Sequence, residues 1–588
     1  MLQPILSPRP TSEPSSAHGW RATCAAAALF AALTLVATYP IVRAPASLAF
    51  FNHSDAQLNT WILAWNAHAI AHDPRNLFNA NIFYPEPRTL AYSETLLGYL
   101  PIAGPILWLH GTPALAFNAV LLFSFAASGF SMYLLARHLT GRHWPAIVGG
   151  IVYAFLPYRF VHVPQIQLEA MEWIPLTFLS LHLFLERRRF RYAAALAASM
   201  AMQALCCVYY AIFLAVALVA AVPLLLLTGS AGRRWRALAT LAMAGALASV
   251  IVAPIAGEYL HLHRAQGLER SLEEIKSKSA VPETYLASPA RLHQRLWASA
   301  ERTPRDYLFP GIMVLALAFV AVIAAVRARD AGHETLAHTT RAIVITYGIV
   351  AVIGVLSSFG PDGIARISLF NLLYAVIGLL HGLRQVTRFA VLALFAVSVL
   401  AAIGAATIEA PLRRLGRLAP AVLACCAFLE LLVMPLTADR PGGEALVRVP
   451  PTPPVYTWLA EQPGKFAILE LPYAPPGLEW QNGSYVYWST VHWHGVVDAY
   501  SGFAPPTYPA LAAILKGFPD ELSREALTLR HVRYVIIHRD RYKWWNTPLD
   551  YDLIRRTPWL TEVQQFPAVD VLEVQPSQRL LTSAARDR

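Results

Sequence analysis

Charged residues are scarce in this 588-residue chain: Asp, Glu, Lys and Arg make up 14%, and only five of the 47 cations are lysines. Soluble proteins average about 25% charged residues, so the composition excludes an ordinary soluble enzyme. The P-loop, the GxGxxG turn of a βαβ unit, HExxH and GxSxG are all absent. A nucleotide-driven pump and a serine hydrolase are therefore unsupported.

Cysteine is also rare, and its placement excludes a disulfide framework and a zinc site. All five cysteines lie inside apolar runs: Cys24, Cys206, Cys207, Cys425 and Cys426.

Long apolar runs take the place of the missing charge. Hydrophobic residues make up 56% of the chain, and the mean hydropathy is +0.43. Eleven runs approach the roughly 20 residues that a helix needs to cross a bilayer. They lie at about 22–42, 113–136, 144–158, 170–185, 191–208, 209–228, 237–256, 309–327, 341–358, 389–408 and 418–436. The sequence thus predicts a polytopic α-helical membrane protein with about 11 transmembrane helices.

Two further apolar stretches, 94–110 and 367–382, are interrupted by proline or glycine. Counting 94–110 as a span would move several arginine-rich loops to the outside, which the distribution of cations in membrane proteins disfavours. We interpret both stretches as re-entrant or interface-lying helices.

Arginine is distributed unevenly between the two ends of the predicted spans. With the N-terminus inside, the loops on that side carry 17 arginines and five acids, a net charge of +12. This leaves −1 for the rest of a chain whose formal charge is +11. Cytoplasmic loops are the ones enriched in Lys and Arg. We therefore predict a multi-pass protein of the bacterial cytoplasmic (inner) membrane, with residues 1–21 cytoplasmic and no basic patch for nucleic acid.

This orientation gives the domain organisation. A transmembrane domain over 22–436 carries outside loops at 43–112, 257–308 and 359–388. After a proline-rich linker, residues 437–588 form an extracytoplasmic (periplasmic) α/β domain. Its predicted strands are KFAILELP (465–472), VRYVIIH (532–538) and DVLEV (570–574), and SREALTLRH (523–531) reads as a helix.

An acid, Asp55, follows the first span in the segment FFNHSDAQLNTWILAWNAH. Apolar residues at Leu58, Trp61 and Trp65 have helical spacing, which predicts an amphipathic helix on the membrane surface with the tryptophans as interface anchors. Ser54 or Asp55 before such a run is a standard helix cap. Asp55 is therefore either that cap or an acid held just outside the bilayer, and the spacing leaves both possibilities open.

Two other segments concentrate polar groups at the outer ends of spans. The turn YRFVHVPQIQLEAMEW holds Arg159, His162, Gln165 and Glu169, which line a cavity or form a wet connecting loop. Arg384 and Arg388 stand four residues apart on the side where arginine is disfavoured. Guanidinium groups suit a phosphate anion, and the alternative is that they extend to lipid headgroups.

Four segments carry a family resemblance: HSDAQLNTW, DPRNLFNANIFYPEPRTLAYSE, RHLTGRHWPAIVGGIVYAFLPYRF, and VVDAYSGFAPPTY with LRHVRYVIIHRD. With them the chain resembles bacterial members of the GT-C superfamily of membrane glycosyltransferases, in its YfhO-like and polyprenyl-phosphate-mannose mannosyltransferase-like branch. The resemblance covers most of the chain and rests more on the architecture than on any one motif.

The resemblance implies an inverting transfer of a sugar from a polyprenyl-phosphate donor to a glycan, lipid or protein acceptor of the cell envelope. It carries the catalytic acid onto Asp55, whose side chain type is ordinarily ionised at neutral pH and can take the acceptor's proton. Arg384, Arg388 and Arg159 are then candidates for stabilising the lipid phosphate. The candidate substrate-binding residues are His53, Trp61, Arg159, His162, Gln165, Glu169, Arg384 and Arg388.

The chain departs from the family pattern in one respect. Many GT-C enzymes carry paired acids in this loop, whereas here Asp55 is followed by Ala56 and Gln57. A single carboxylate holds a divalent ion poorly, so we predict no metal and no other cofactor. The alternative hypothesis is a non-catalytic membrane scaffold, or a protein that binds or translocates a lipid-linked glycan and needs no acid.

Overall fold

The computed structural model describes residues 16–227, 231–267, 269–296, 306–327, 334–364, 366–436, 445–545 and 550–577. Of the predicted cytoplasmic N-terminus, residues 1–15 lie outside the described part. The described residues divide into two compact units. The first unit is drawn from residues 1–45, 118–255 and 269–446, and the second from 46–117, 256–268 and 447–588. The prediction of a domain boundary at 437 did not include the grouping of the first loop, 43–112, with the C-terminal residues.

Helices dominate the first unit. Those that begin in it are Ser16–Ala37, His143–Ala154, Pro157–Val161, Trp173–Arg187, Phe190–Cys206, Val208–Leu226, Ala231–Gln266, Leu272–Ser277, Arg291–Leu296, Ile312–Arg327, Glu334–Ser358, Leu369–Val376, Ala390–Leu415 and Ala419–Leu431. The helix Pro113–Thr140 begins in the second unit and continues into the first.

A helix is present at each of the eleven predicted spans. Within the described residues, eight helical segments are long and apolar enough to cross a membrane: Trp20–Ala37, Pro113–Thr140, His143–Val161, Ile166–Arg187, Val208–Leu226, Arg234–Gln266, Thr340–Ser358 and Val386–Leu415. The other three predicted spans are helices of 17, 16 and 13 residues: Phe190–Cys206, Ile312–Arg327 and Ala419–Leu431. The chain is thus a multi-pass membrane protein.

The two interrupted apolar stretches form short helices. Leu100–Trp108 has nine residues and Leu369–Val376 has eight. At about 1.5 Å per residue, neither approaches the roughly 30 Å thickness of the hydrocarbon core. Neither helix therefore spans the membrane alone.

The helix Ala390–Leu415 forms the centre of the first unit. In the membrane-spanning segment Val386–Leu415, which includes this helix, 94% of the most apolar 18-residue stretch is buried. The helices His143–Ala154, Ile312–Arg327 and Glu334–Ser358 pack around it. Glycine permits this close packing, because a Cβ on Gly404 would overlap the carbonyl oxygen of Leu317.

The described part of the second unit contains seven strands: β1 (Leu48–Ala49), β2 (Val447–Arg448), β3 (Ala467–Leu471), β4 (Gly495–Val496), β5 (Val532–His538), β6 (Leu560–Phe566) and β7 (Val569–Val574). β1 and β2 pair antiparallel, and the other five form one sheet in the order β4-β3-β5-β7-β6. The pairs β4-β3 and β3-β5 are parallel, whereas β5-β7 and β7-β6 are antiparallel. This confirms the predicted C-terminal sheet and its three predicted strands.

Both faces of this sheet are covered, which explains why VRYVIIH is an almost continuous apolar run. On one face Val535 and Ile537 pack with Leu527 of the helix Glu521–Leu529. On the other face Tyr534 and Ile536 pack with residues of the helices Pro454–Ala460 and Gly483–His492. The remaining helices of the unit are Ser54–His72, Leu100–Trp108, Thr507–Leu515, Arg539–Trp545 and Tyr551–Arg556.

The first loop extends the sheet at β4. Tyr84 N–H donates to the Val496 carbonyl at 2.9 Å, and Val496 N–H donates to the Asn81 carbonyl at 2.7 Å. Ile82 and Val496 form a parallel bridge. These backbone bonds join the loop to the C-terminal residues as one unit.

The helix Ser54–His72 is buried inside the second unit. The prediction of an amphipathic surface helix was wrong, because 13 of its 19 residues are buried. The helices Leu100–Trp108 and Gly483–His492 pack against it and cover the faces that the pattern assigned to solvent. Trp61, one of the two predicted interface anchors, is only 1% exposed.

Candidate functional site

Asp55 lies in the first turn of the helix Ser54–His72, and its carboxylate is not the helix cap. The cap is His53, whose Nδ1 accepts the backbone N–H of Asp55 at 3.1 Å. The Tyr500 hydroxyl donates a hydrogen bond to Asp55 Oδ1. A negative charge at this end of a helix is favoured by the helix dipole. Of the two roles that the sequence left open, capping is therefore filled by another residue.

The backbone around Tyr500 is fixed by neighbours in the second unit. Asp498 and Tyr500 follow β4, at the carboxyl end of the parallel strands, where open α/β sheets bind their ligands. Asp498 Oδ1 accepts the backbone N–H of Glu470 at 3.1 Å. Asn482 Nδ2 donates to the Ala499 carbonyl at 3.1 Å. The segment that presents the Tyr500 hydroxyl is thus held from both sides.

A buried acidic network lies behind this segment. Glu470 is fully buried and accepts from the Tyr456 hydroxyl at 2.8 Å and from His538 Nε2 at 2.6 Å. Burial, followed by the charge of Glu470, raises the pKa of Asp498 well above its usual value. The protonated form of Asp498 is therefore favoured more than it is in a free aspartate.

Aromatic rings line the opposite part of the Ser54–His72 helix. Trp61 stacks on Trp65 with centroids 6.1 Å apart, and His68 stacks on Trp493 at 4.1 Å. Burial, together with the charge of His72, lowers the pKa of His68 to about 4. These rings pack against one another within the unit, and Trp61 has no exposed face for a substrate.

In the first unit, Arg159 has protein partners on all three guanidinium nitrogens. Nε donates to Glu169 at 2.8 Å, Nη1 donates to the Ala154 carbonyl at 3.0 Å, and Nη2 donates to Ser124 at 3.1 Å. The guanidinium carbon also lies 4.0 Å from the centre of the Phe125 ring. Arg159 and Glu169 are both fully buried. Arg159 and Glu169 therefore form a buried ion pair within the helix bundle.

His162 and Gln165, which share a turn in the sequence, contact each other. His162 Nδ1 lies 2.9 Å from Gln165 Oε1, and Nε2 lies 3.1 Å from Asp306 Oδ1. Burial alone would raise the pKa of Asp306, but the charge and hydrogen bond of His162, together with hydrogen bonds from Tyr307 and Thr387, bring the pKa below its usual value. Asp306 is thus a buried carboxylate that the sequence did not single out.

Arg384 and Arg388 occupy different surroundings although only four residues separate them. Arg388 is 7% exposed, lies 5.1 Å from the centre of the Tyr209 ring and donates to Gln385 at 3.0 Å. The Arg384 side chain is half exposed, and its Nε lies 4.0 Å from a carboxylate oxygen of Glu274. Arg388 lies in the 3-10 helix Val386–Phe389 and Arg384 precedes it outside any helix, which is why the two arginines do not share one α-helical face.

Solved structures establish what kind of fold this is. No family model and no curated protein matches the chain. Over 95% of its length it superposes on the cryo-EM structure of arabinofuranosyltransferase AftD from Mycobacteria, with 16% identity and a TM-score of 0.57. A mutant of AftD gives 17% identity and 0.58 over the same share of the chain. The chain has the GT-C fold.

The GT-C fold here spans only part of a longer neighbour, since the chain covers 40% of the length of AftD. A further match is ArnT from Cupriavidus metallidurans in the apo state, with 14% identity and coverage of 96% of this chain and 100% of that one. The TM-score of that superposition is 0.39.

The partners of the predicted residues were the part of the site that the sequence did not indicate. Tyr500 stands 445 residues from Asp55, and Asp306 stands 144 residues from His162. Asp306 lies in none of the four segments that carry the resemblance, and Tyr500 lies in VVDAYSGFAPPTY without any sign there of a contact with Asp55. For Tyr500 the one available signal was its place two residues after Asp498 in a segment rich in aromatic and polar residues.

Proposed function

We propose that this chain is a membrane glycosyltransferase that moves a sugar from a polyprenyl-phosphate donor to a cell-envelope acceptor. The observation that carries the proposal is the carboxylate of Asp55. It lies at the start of a buried helix, is not used as the cap, and is oriented by the hydroxyl of Tyr500. The GT-C fold and the multi-pass helices support the membrane setting.

In the proposed reaction Asp55 is the general base. The acceptor hydroxyl oxygen attacks the anomeric carbon of the sugar, and its proton passes to the Asp55 carboxylate. The bond between that carbon and the phosphate oxygen breaks, and the polyprenyl phosphate leaves with the bonding electrons. A single displacement of this kind inverts the configuration of the sugar. No step requires a metal or another cofactor.

The lipid phosphate requires cationic partners, and we assign this role to Arg384 and Arg388. Arg159 is left out, since all three of its nitrogens already bond protein atoms. The arginine distribution supports an orientation with the second unit on the outer face of the cytoplasmic membrane.

Replacing Arg388 by alanine is expected to raise the KM for a polyprenyl-phosphate sugar at least about tenfold, with a smaller effect on kcat. A hydrogen bond to a charged group contributes about 1.5–3 kcal/mol, and this one forms to the phosphate before reaction. The measurement is steady-state transfer by the purified chain with undecaprenyl-phosphate-linked pentoses and hexoses.

The matched control is Arg414→Ala, an exposed arginine near the C-terminal end of the helix Ala390–Leu415 that follows Arg388. Arg388→Lys keeps the charge and should restore part of the affinity. An unchanged donor KM in a folded Arg388→Ala protein would remove this residue from the phosphate site.

Replacing Tyr500 by phenylalanine should lower kcat roughly tenfold, because the Asp55 carboxylate loses the donor that orients it. Thermal unfolding should stay near the wild-type temperature, since the ring remains. The neighbouring Tyr508→Phe serves as the control: its hydroxyl bonds Asn482 and the Ala474 carbonyl, not Asp55. Equal activity loss in both variants would argue that the effect is general loosening of the segment.

The alternative, a non-catalytic scaffold or carrier, makes a different prediction. It expects saturable binding of the lipid-phosphate sugar without turnover, unchanged when Asp55 is replaced. Measuring binding and transfer on the same preparations separates the two functions.

A further inference from the structure

The second unit contains a cavity of about 550 Å³ on one face of the sheet, beside the helix Tyr551–Arg556. Its floor is apolar, because Ile537, Ile554 and Leu572 belong to the buried core of the unit. Its rim is polar and includes residues of the edge strand β6. None of the residues assigned above to sugar transfer lines this cavity.

The polar groups of the rim are only partly used by the protein. Asp570 accepts hydrogen bonds from Arg539 and, at 3.1 Å, from Gln565 Nε2. Arg555 and Glu562 are exposed and form no ion pair within the described ranges. The Tyr551 hydroxyl is buried and finds no hydrogen-bond partner among the described residues. A hydroxyl with almost no accessible surface is not open to a ligand, so the rim groups that can meet a ligand are Arg555 and Glu562.

The charges of the lining decide the class of ligand. Two cations, Arg539 and Arg555, are balanced by two acids, Glu562 and Asp570. An anion would meet the carboxylates and a cation would meet the guanidinium groups, so strongly charged ligands are disfavoured. A lipid chain would leave the polar rim without partners.

A neutral ligand with several hydroxyl groups fits this arrangement. Each hydroxyl both donates and accepts, a guanidinium only donates, and a carboxylate only accepts. Adjacent hydroxyls on one ring can therefore bond Arg555 and Glu562 together, while the ring carbons lie over the apolar floor. The volume lies within the range of about 300–1,000 Å³ that is typical of ligand pockets.

We propose that this cavity is a second binding site, specific for a neutral saccharide, on the C-terminal sheet. The proposal goes beyond sugar transfer, since it requires neither Asp55 nor turnover. Such a site would hold a glycan on the chain independently of the reacting groups.

The test is direct binding to the full chain in lipid nanodiscs, measured by saturation-transfer NMR. Nanodiscs are required because maltoside detergents carry a saccharide head that would compete. The probes are neutral di- to tetrasaccharides of glucose, mannose and arabinose, and a matched disaccharide that contains glucuronic acid. At least one neutral probe should bind saturably, and its affinity should fall about tenfold or more in Arg555→Ala and in Glu562→Ala.

Arg556→Ala is the matched control: it removes the same charge from the next, exposed residue, which does not line the cavity. It should bind like wild type, and thermal unfolding of all three variants should agree. Asp55→Asn should also retain binding, which separates this site from the transfer site even if no transfer is found. The proposal is overturned if no neutral probe binds, if Arg555→Ala and Glu562→Ala bind normally, or if the acidic probe binds more tightly.

Discussion

Replacing Asp55 by asparagine is expected to lower the rate of sugar transfer by about 10²–10⁴-fold, the range that general bases contribute. Asparagine has nearly the same shape and keeps an oxygen for the Tyr500 hydroxyl, but it cannot take a proton from the acceptor. The His53 cap uses the backbone N–H of residue 55 and is unaffected. The helix and the fold should therefore persist.

The measurement is single-turnover transfer, with donor binding recorded on the same protein. Asp73→Asn is the matched control, because Asp73 is an exposed acid at the other end of the same helix. It should transfer sugar at the wild-type rate. Full activity in a folded Asp55→Asn protein would refute the proposed mechanism and favour the scaffold hypothesis.

The position of Asp55 shows how much of the site could be read from sequence. An acid after the first span was visible, and its two possible roles could be stated. The choice between them depended on His53, whose ring takes the capping position, and on Tyr500, which is 445 residues away. Contacts at such separation leave no periodicity or spacing in the sequence.

The fold was predictable where a local pattern determines it. Apolar runs gave the helices, and continuous apolar segments gave β3, β5 and β7, because strands buried on both faces need apolar side chains throughout. β6 was missed because four of its seven residues are exposed and polar side chains dominate it. An edge strand carries little hydrophobic signal.

The grouping of the first loop with the C-terminal residues could not be predicted. It depends on backbone hydrogen bonds between residues 81–84 and β4. Because the backbone N–H and C=O groups are the same whatever the side chain, the sequence carries no signal for these bonds. The Ser54–His72 helix was misread for a related reason. An apolar stripe identifies one buried face of a helix. It does not show that other elements of the fold cover the remaining faces of that helix.

Replacing Arg159 by leucine is expected to reduce the free energy of unfolding by about 3–5 kcal/mol, the effect of removing one partner from a buried ion pair. Glu169 would keep its fully buried carboxylate while losing the guanidinium that bonds it at 2.8 Å. The carbonyl of Ala154 and the hydroxyl of Ser124 would each lose a donor as well. The measurement is chemical and thermal unfolding of the purified chain in detergent.

The double variant Arg159→Leu with Glu169→Leu should recover much of the lost stability, because no unpaired charge then remains. Arg413→Ala is the exposed counterpart in the same unit. Its side chain is 50% exposed in a pair with Glu409, so the loss should be at most about 1 kcal/mol. If Arg159→Leu were as stable as wild type but unable to bind the donor, the guanidinium would belong to the substrate site, and the closed ion pair would have to open during the reaction.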